Sequence, residues 1–291
     1  MRTELKKALR VGAALVPLAL LHMAGAAAGQ QSNGASRPVG ISLAPSVVML
    51  KGQPGEAYKQ ALRLTNHTSR ELAFRLEAQD VVTDQGRRVF LAAGERPDSV
   101  AATAVFSPKQ VVVAPGAVGV AELTLTVPAG TAVRGVAAIF RGETIVGDDR
   151  GVAMTASLGA LITFALSDDI RLDASVPEVS EQTETTNLSL AEWVTNTGSE
   201  PVVASGAAAV LNAAGVLVGR VPVEPQRLMP GERLRFKADY PALLGPGSYR
   251  ALLSLEYDGH ERKVLTRTVD FEVPAVRDDR RVADRGTGVR P

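Results

Sequence analysis

The sequence predicts an all-β protein built of two tandem β-sandwiches behind a signal peptide. Three observations carry this. Apolar residues alternate with polar ones: Ala121, Leu123, Leu125 and Val127 share one parity, and Glu122, Thr124 and Thr126 the other. That period of two marks a strand with one face on a core. Turn chemistry recurs at short intervals with no helical run between, as at Pro115-Gly116 and Pro128-Ala-Gly130. Finally, the first half of the chain echoes in the second.

The elements follow in order. Residues 1–29 read as a signal peptide. Lys6, Lys7 and Arg10 give a basic start, Val11 to Ala24 an apolar run, and Ala26 to Ala28 the small residues before a cleavage site. The run is short for a membrane span, and the chain predicts no stable span once it is removed. Gln30 to Pro38 is a polar leader. Val39 to Leu50 is an extended segment that Pro45 interrupts, which predicts an edge or a switch between sheets. Tyr58, Gln60, Leu62 and Leu64 form one strand face, and Leu72, Phe74, Leu76 and Ala78 another, separated by the turn Asn66 to Ser69. Thr83 to Gly86 turns into Arg87 to Leu91, and Ala92 to Thr103 is a loop. Phe106 to Val113, Gly119 to Val127, Arg134 to Arg141 and Met154 to Leu166 supply the remaining strands. The count is about seven, as in an immunoglobulin-like sandwich, and the first domain spans 38–167.

The second immunoglobulin-like domain spans 168–275. It opens after Ser167-Asp-Asp169 with Ile170 to Val176, followed by an acidic loop, Pro177 to Thr186. Leu188, Leu190 and Val194 alternate toward Asn196-Thr-Gly198, although Glu192 and Trp193 blur the pattern. Val202 to Leu211, Val216 to Val223, Arg233 to Tyr240, Ala251 to Tyr257 and Leu265 to Val273 complete the strands, with Asp258-Gly259 as a hairpin signal. Residues 276–291 read as a disordered tail. The echo is concrete: Leu64-Thr-Asn-His-Thr-Ser-Arg-Glu71 parallels Val194-Thr-Asn-Thr-Gly-Ser-Glu-Pro201, and Pro115-Gly116 parallels Pro230-Gly231.

Composition limits function. The 291 residues include no cysteine, so apolar cores must hold the domains without disulfides. Basic and acidic residues number 32 and 31, and without the signal peptide 28 and 30, which leaves no electrostatic footprint for nucleic acid. Aromatics are only 4 % of the chain, too few for a stacking platform. His67 and His260 stand alone in turns, whereas a metal needs converging ligands. Asp148-Asp149 and Asp168-Asp169 lack the dense oxygen ligands of a calcium loop. Nucleophile elbows, zinc motifs and phosphate loops are missing. The expectation is a non-enzymatic protein without cofactor or metal. Trp193, the single tryptophan, reads as a sandwich-core anchor, and Tyr249 after Gly-Pro-Gly-Ser as a tyrosine corner.

Pro54-Gly55, Asn66 to Ser69, Gly86, Phe106 to Gly116, Val127-Pro128, Gly135 to Phe140, Asn196 to Gly198 and Leu244 to Tyr249 together resemble two bacterial groups. One is the periplasmic pilus chaperones (PapD-like), the other the WxL-interacting proteins. The resemblance implies two immunoglobulin-like domains and a role in handling exported or surface protein subunits. It departs from the pilus chaperones in the basic residues that hold a subunit's C-terminal carboxylate. Arg37 precedes the first strand, and no lysine lies between Lys109 and Lys237. It departs from membrane-tethered WxL-interacting proteins in having no terminal spanning helix.

Two functions stay open at this point. One is a periplasmic chaperone-like assembly factor that binds extended polypeptide at a sheet edge. The other is a secreted or cell-surface module that binds a protein or glycan through its loops. For the first, the candidate edge is the long strand Met154 to Leu166, with Met154, Leu158, Leu161, Ile162, Thr163 and Phe164 along the expected groove.

Overall fold

The computed structural model describes residues 40–142, 145–146, 153–154, 157–180, 182, 187–258 and 262–275. The expected signal peptide, tail, Asp148-Asp149 and His260 lie outside them. The first half of the described chain forms β1 (Ile41–Ala44), β2 (Val47–Lys51), β3 (Ala57–Asn66), β4 (Leu72–Asp84), β5 (Arg87–Ala92), β6 (Val105–Ser107), β7 (Gln110–Val113), β8 (Val118–Thr126), β9 (Gly135–Gly142), β10 (Ile145–Val146), β11 (Ala153–Met154) and β12 (Ser157–Ala165). One sheet runs β1-β3-β8-β6. The facing sheet runs β2-β12-β9-β4-β5, with β7 also on β4. The alternating residues of the two sheets meet in a core that includes Leu62, Leu64, Phe74, Leu123, Phe140, Ile162 and Phe164, each at most 1 % exposed.

Proline explains how single segments serve both sheets. Pro45 separates β1, paired with β3, from β2, paired with β12; of the edge or switch that the sequence predicts there, the chain makes the switch. Pro108 does the same between β6 on β8 and β7 on β4. A residue without an N–H breaks a ladder, so the chain leaves one sheet there and joins the other.

The second half forms β13 (Leu172–Ala174), β14 (Glu178–Val179), β15 (Ser189–Asn196), β16 (Val202–Asn212), β17 (Leu217–Leu228), β18 (Arg233–Asp239), β19 (Gly247–Asp258) and β20 (Arg262–Val273). β13, β14 and β18 pair with β15, and the opposing sheet runs β17-β16-β19-β20. Leu188, Leu190, Leu228, Phe236, Leu253 and Leu255 fill the second core at 0–1 % exposure. The stretch Pro177 to Thr186, expected to be loop throughout, contains β14, because Glu178 and Val179 find partners in Ala191 and Leu190. The protein is all-β, two sandwiches in tandem.

The sequence echo has an atomic basis. Asn66 and Asn196 are fully buried at equivalent strand ends. Asn66 Nδ2 donates to the carbonyls of Arg70 (2.7 Å) and Val113 (2.9 Å), and its Oδ1 accepts the Thr68 N–H (2.9 Å). Asn196 Nδ2 donates to Glu200 (2.8 Å) and Leu228 (3.3 Å), and its Oδ1 accepts the Gly198 N–H (3.0 Å). The backbone carbonyls of the two asparagines accept the N–H of Gly116 and of Gly231. Each Pro-Gly turn needs its glycine, since φ is +71° and +73° there. One amide thus fastens a turn to a distant strand in each sandwich, and leaves no buried polar atom of its own unpaired.

Polar contacts also join the two sandwiches. Glu200, with a fully buried side chain, accepts from Arg134 Nε (3.0 Å), the Leu166 N–H (3.0 Å) and Ser167 Oγ (2.8 Å). Arg88 Nε lies 2.7 Å from Glu232 Oε1, and Arg88 also donates to the Arg227 carbonyl. Glu232 in turn accepts the Met229 N–H at 2.8 Å. The Arg233 N–H donates to the Gly86 carbonyl at 2.9 Å. Gly135 leaves room for Met229, whose Cε would come within 2.7 Å of an added Cβ.

Candidate functional site: the edge of β12

The structure divides the stretch Met154 to Leu166. Met154 lies in β11, whose backbone pairs with β10, while Leu158, Leu161, Ile162, Thr163 and Phe164 lie in β12. β12 pairs antiparallel with β9 over Ser157 to Thr163. On its other side β2 pairs with it in parallel, matching Leu161 to Val47 and Ala165 to Lys51. The expected open edge at Leu161, Ile162, Thr163 and Phe164 is therefore taken by the chain's own second strand. Ile162 and Phe164 are core residues. Thr163 is buried too; its hydroxyl donates to the Val48 carbonyl at 3.2 Å and accepts from Arg227 at 2.8 Å. Burial pushes the Arg227 guanidinium below its ordinary value, with neighbouring Arg88 adding to the effect.

What remains of the edge is shorter. Among the described residues, Ser157 to Ala160 pair with β9 alone. The Leu161 N–H donates to the Ser46 carbonyl at 2.9 Å, and the Ala165 carbonyl accepts from Gly52. Odd-numbered residues of β12 thus present their N–H and C=O toward β2, and by alternation Ser157 and Gly159 present theirs to the same side, beyond the point where β1 turns away to the other sheet. Both are exposed, and Leu158 between them is half-buried against the first core. An added Cβ at Gly159 would meet nothing nearer than the Ala138 carbonyl oxygen at 3.9 Å. This is backbone hydrogen-bonding capacity beside an apolar side chain. The donors and acceptors have the two-residue spacing of an extended strand.

Other features were misread or unseen in sequence. Trp193 is not a core anchor. Leu190, Glu192 and Val194 hold the inward parity of β15, which turns Trp193 outward beneath the Arg233 guanidinium, 4.8 Å from its ring centre. Glu192 is the buried residue, fully enclosed and with neither carboxylate oxygen hydrogen-bonded. Burial raises its pKa from 4.5 to about 7, and Arg267 pulls the other way. Tyr249 does close a corner, its hydroxyl donating to the Gly245 carbonyl at 2.8 Å. His67 hydrogen-bonds Ser42 in its turn. Among the described residues, no cluster of three or more histidine, aspartate or glutamate side chains stands ready for a metal, and no helix is long and apolar enough to cross a membrane. A cavity of about 400 Å³ opens at the junction of the sandwiches between Met49, Lys51, Leu166, Ile170, Pro201 and Val203.

Solved structures similar to this chain include PapD-like fimbrial chaperones. The class 5 fimbriae chaperone CfaA is 13 % identical with a TM-score of 0.40, covering 78 % of this chain and 98 % of that one. The CsuC–CsuE chaperone–tip subunit complex of Acinetobacter baumannii gives 9 % identity and a TM-score of 0.41, over 78 % and 97 %. The E. coli chaperone DraB gives 10 % and 0.38, over 81 % and 99 %. The likeness is one of fold. No family model matches the sequence. No curated protein matches it either.

Proposed function

We propose that this chain is an exported, non-enzymatic bacterial chaperone-like assembly factor that binds an extended segment of a secreted or surface protein subunit by strand addition at Ser157 to Ala160. The observation that carries this is the lateral edge of β12 at Ser157 to Ala160, which among the described residues is unpaired. Two residues there offer main-chain donors and acceptors outward while Leu158 sits half-buried between them. A guest strand gains affinity from the main-chain bonds and selectivity from its alternate side chains. The basic start, apolar run and small residues within residues 1–29 support export.

The test is capture of exported proteins from the native cell on tagged wild type, Gly159→Ala and Gly159→Pro, with amide hydrogen exchange on the complex. The alanine variant has space at this position and retains the partner. The proline variant removes one outward N–H and loses it. Protection on binding falls at Ser157 and Gly159. Unchanged capture by the proline variant, or protection confined to other strands, refutes the reading.

A further inference from the structure

A protein of open sheets must guard its edges, and most edges here are guarded. β1, β2 and β6 have five residues or fewer. β17, one edge of the second sandwich's larger sheet, is long but carries Pro222 and Pro225 and slips register twice against β16. Prolines, bulges and brevity all discourage an incoming strand. β20, the opposite edge of that sheet, has none of these. It runs twelve residues from Arg262 to Val273 without proline or glycine, in unbroken register with β19, and among the described residues nothing pairs its outer side.

Inward-pointing charges are another guard, and β20 has two, but both are occupied within the chain. Lys263 Nζ donates to the Ile170 carbonyl at 2.9 Å. Arg267 donates to the Ala174 carbonyl at 3.0 Å and pairs with Asp173 at 3.1 Å. Their neighbours on the same parity, Leu265, Val269, Phe271 and Val273, remain only half-buried. The outward parity reads Arg262, Val264, Thr266, Thr268, Asp270, Glu272: basic at the start, neutral in the middle, acidic at the end. Such a strand is complementary to itself run backwards. Among the described residues Glu272 has no ion-pair partner.

We propose that β20 joins two copies of this chain, edge to edge and antiparallel, about a two-fold axis through Arg267. Opposed residues then lie on the same face, as a continuous sheet requires. Arg262 faces Glu272 of the second copy, Val264 faces Asp270, Thr266 faces Thr268, and on the inner side Leu265 faces Val269. Two four-stranded sheets become one of eight, and the half-buried apolar row gains cover. The interface is isologous and closes on itself, so assembly stops at the dimer.

Sedimentation velocity tests this on the purified chain at about 100 μM, where even a micromolar complex forms. Wild type sediments as a dimer. The double variant Thr266→Lys/Thr268→Lys, at two exposed positions, sets ammonium groups against one another across the axis and sediments as a monomer. Thr266→Lys/Thr268→Glu places opposite charges face to face in the proposed register and sediments as a dimer again. A monomeric wild type overturns the proposal. So does a dimer indifferent to the double-lysine variant, or a lysine–glutamate variant that stays monomeric.

Discussion

Replacing Glu192 with glutamine should stabilise the second sandwich at alkaline pH and do little at acid pH. In the folded chain the Glu192 carboxyl is enclosed and unpartnered, and its pKa stands at about 7 against an ordinary 4.5. Below pH 4.5 both folded and unfolded chains carry the proton, so the group makes no difference. Between 4.5 and 7 the unfolded chain releases it and the folded chain keeps it, so folded stability falls as pH rises. Above 7 the loss is complete. At about 1.4 kcal/mol per pH unit of that gap, the full effect is about 3 kcal/mol. Glutamine fills the same space and does not ionise. Whatever its amide costs in the core applies equally at both ends of the pH range, so the change in its advantage between them isolates the titration. Trp193, the only tryptophan, is the next residue in β15 and reports on this sandwich directly. Urea unfolding followed by its fluorescence at pH 4.5 and 8.5 should show the variant's advantage growing by about 3 kcal/mol. An advantage that does not change with pH, or that shrinks as pH rises, refutes the reasoning.

Asn66→Ala and Asn196→Ala each remove an amide that serves two carbonyls and an N–H in a buried site; each should cost about 2–4 kcal/mol, seen as a lower calorimetric transition for the sandwich affected. Arg134→Ala leaves the enclosed Glu200 without its cation and should cost about 3–5 kcal/mol, with faster proteolysis at Ser167 to Asp169, where Glu200 holds the Leu166 N–H and the Ser167 hydroxyl. Gly206→Ala drives a Cβ to 1.9 Å from the Ser254 carbonyl oxygen, which should break the β16–β19 pairing and lower the thermal transition of the second sandwich by many degrees.

The sequence conveyed most strands because a half-buried strand must alternate, and Leu62, Leu64, Phe74 and Leu123 obey that rule locally. Pro45 revealed the sheet switch for an equally local reason, the missing N–H. The Asn-turn and Pro-Gly echo is visible as spelling, and its meaning as an amide tie appears only in the fold. The β12 edge could not be read. Its partner β2 lies more than a hundred residues earlier in the chain, and parallel pairing leaves no turn between the strands to announce it. Alternation continued past Ala156, so two strands looked like one. Glu192 looked like noise in a pattern because a carboxyl at an inward position contradicts the ordinary cost of burial. Arg134, Glu200, Arg88 and Glu232 each resemble solvated surface charges, and only the fold brings them into pairs.

The junction bears on binding in a way that concerns entropy. Linked domains usually sample many relative orientations, and a ligand touching both must freeze one of them. Here Glu200 grips the segment that leaves β12, and Arg88 and Arg227 tie the far corner of the second sandwich to the first. The angle between the two bodies is set before any guest arrives. A guest that touched both sandwiches at the cavity beside Lys51 and Val203 would meet a preorganised surface, and more of its contact energy would appear as affinity.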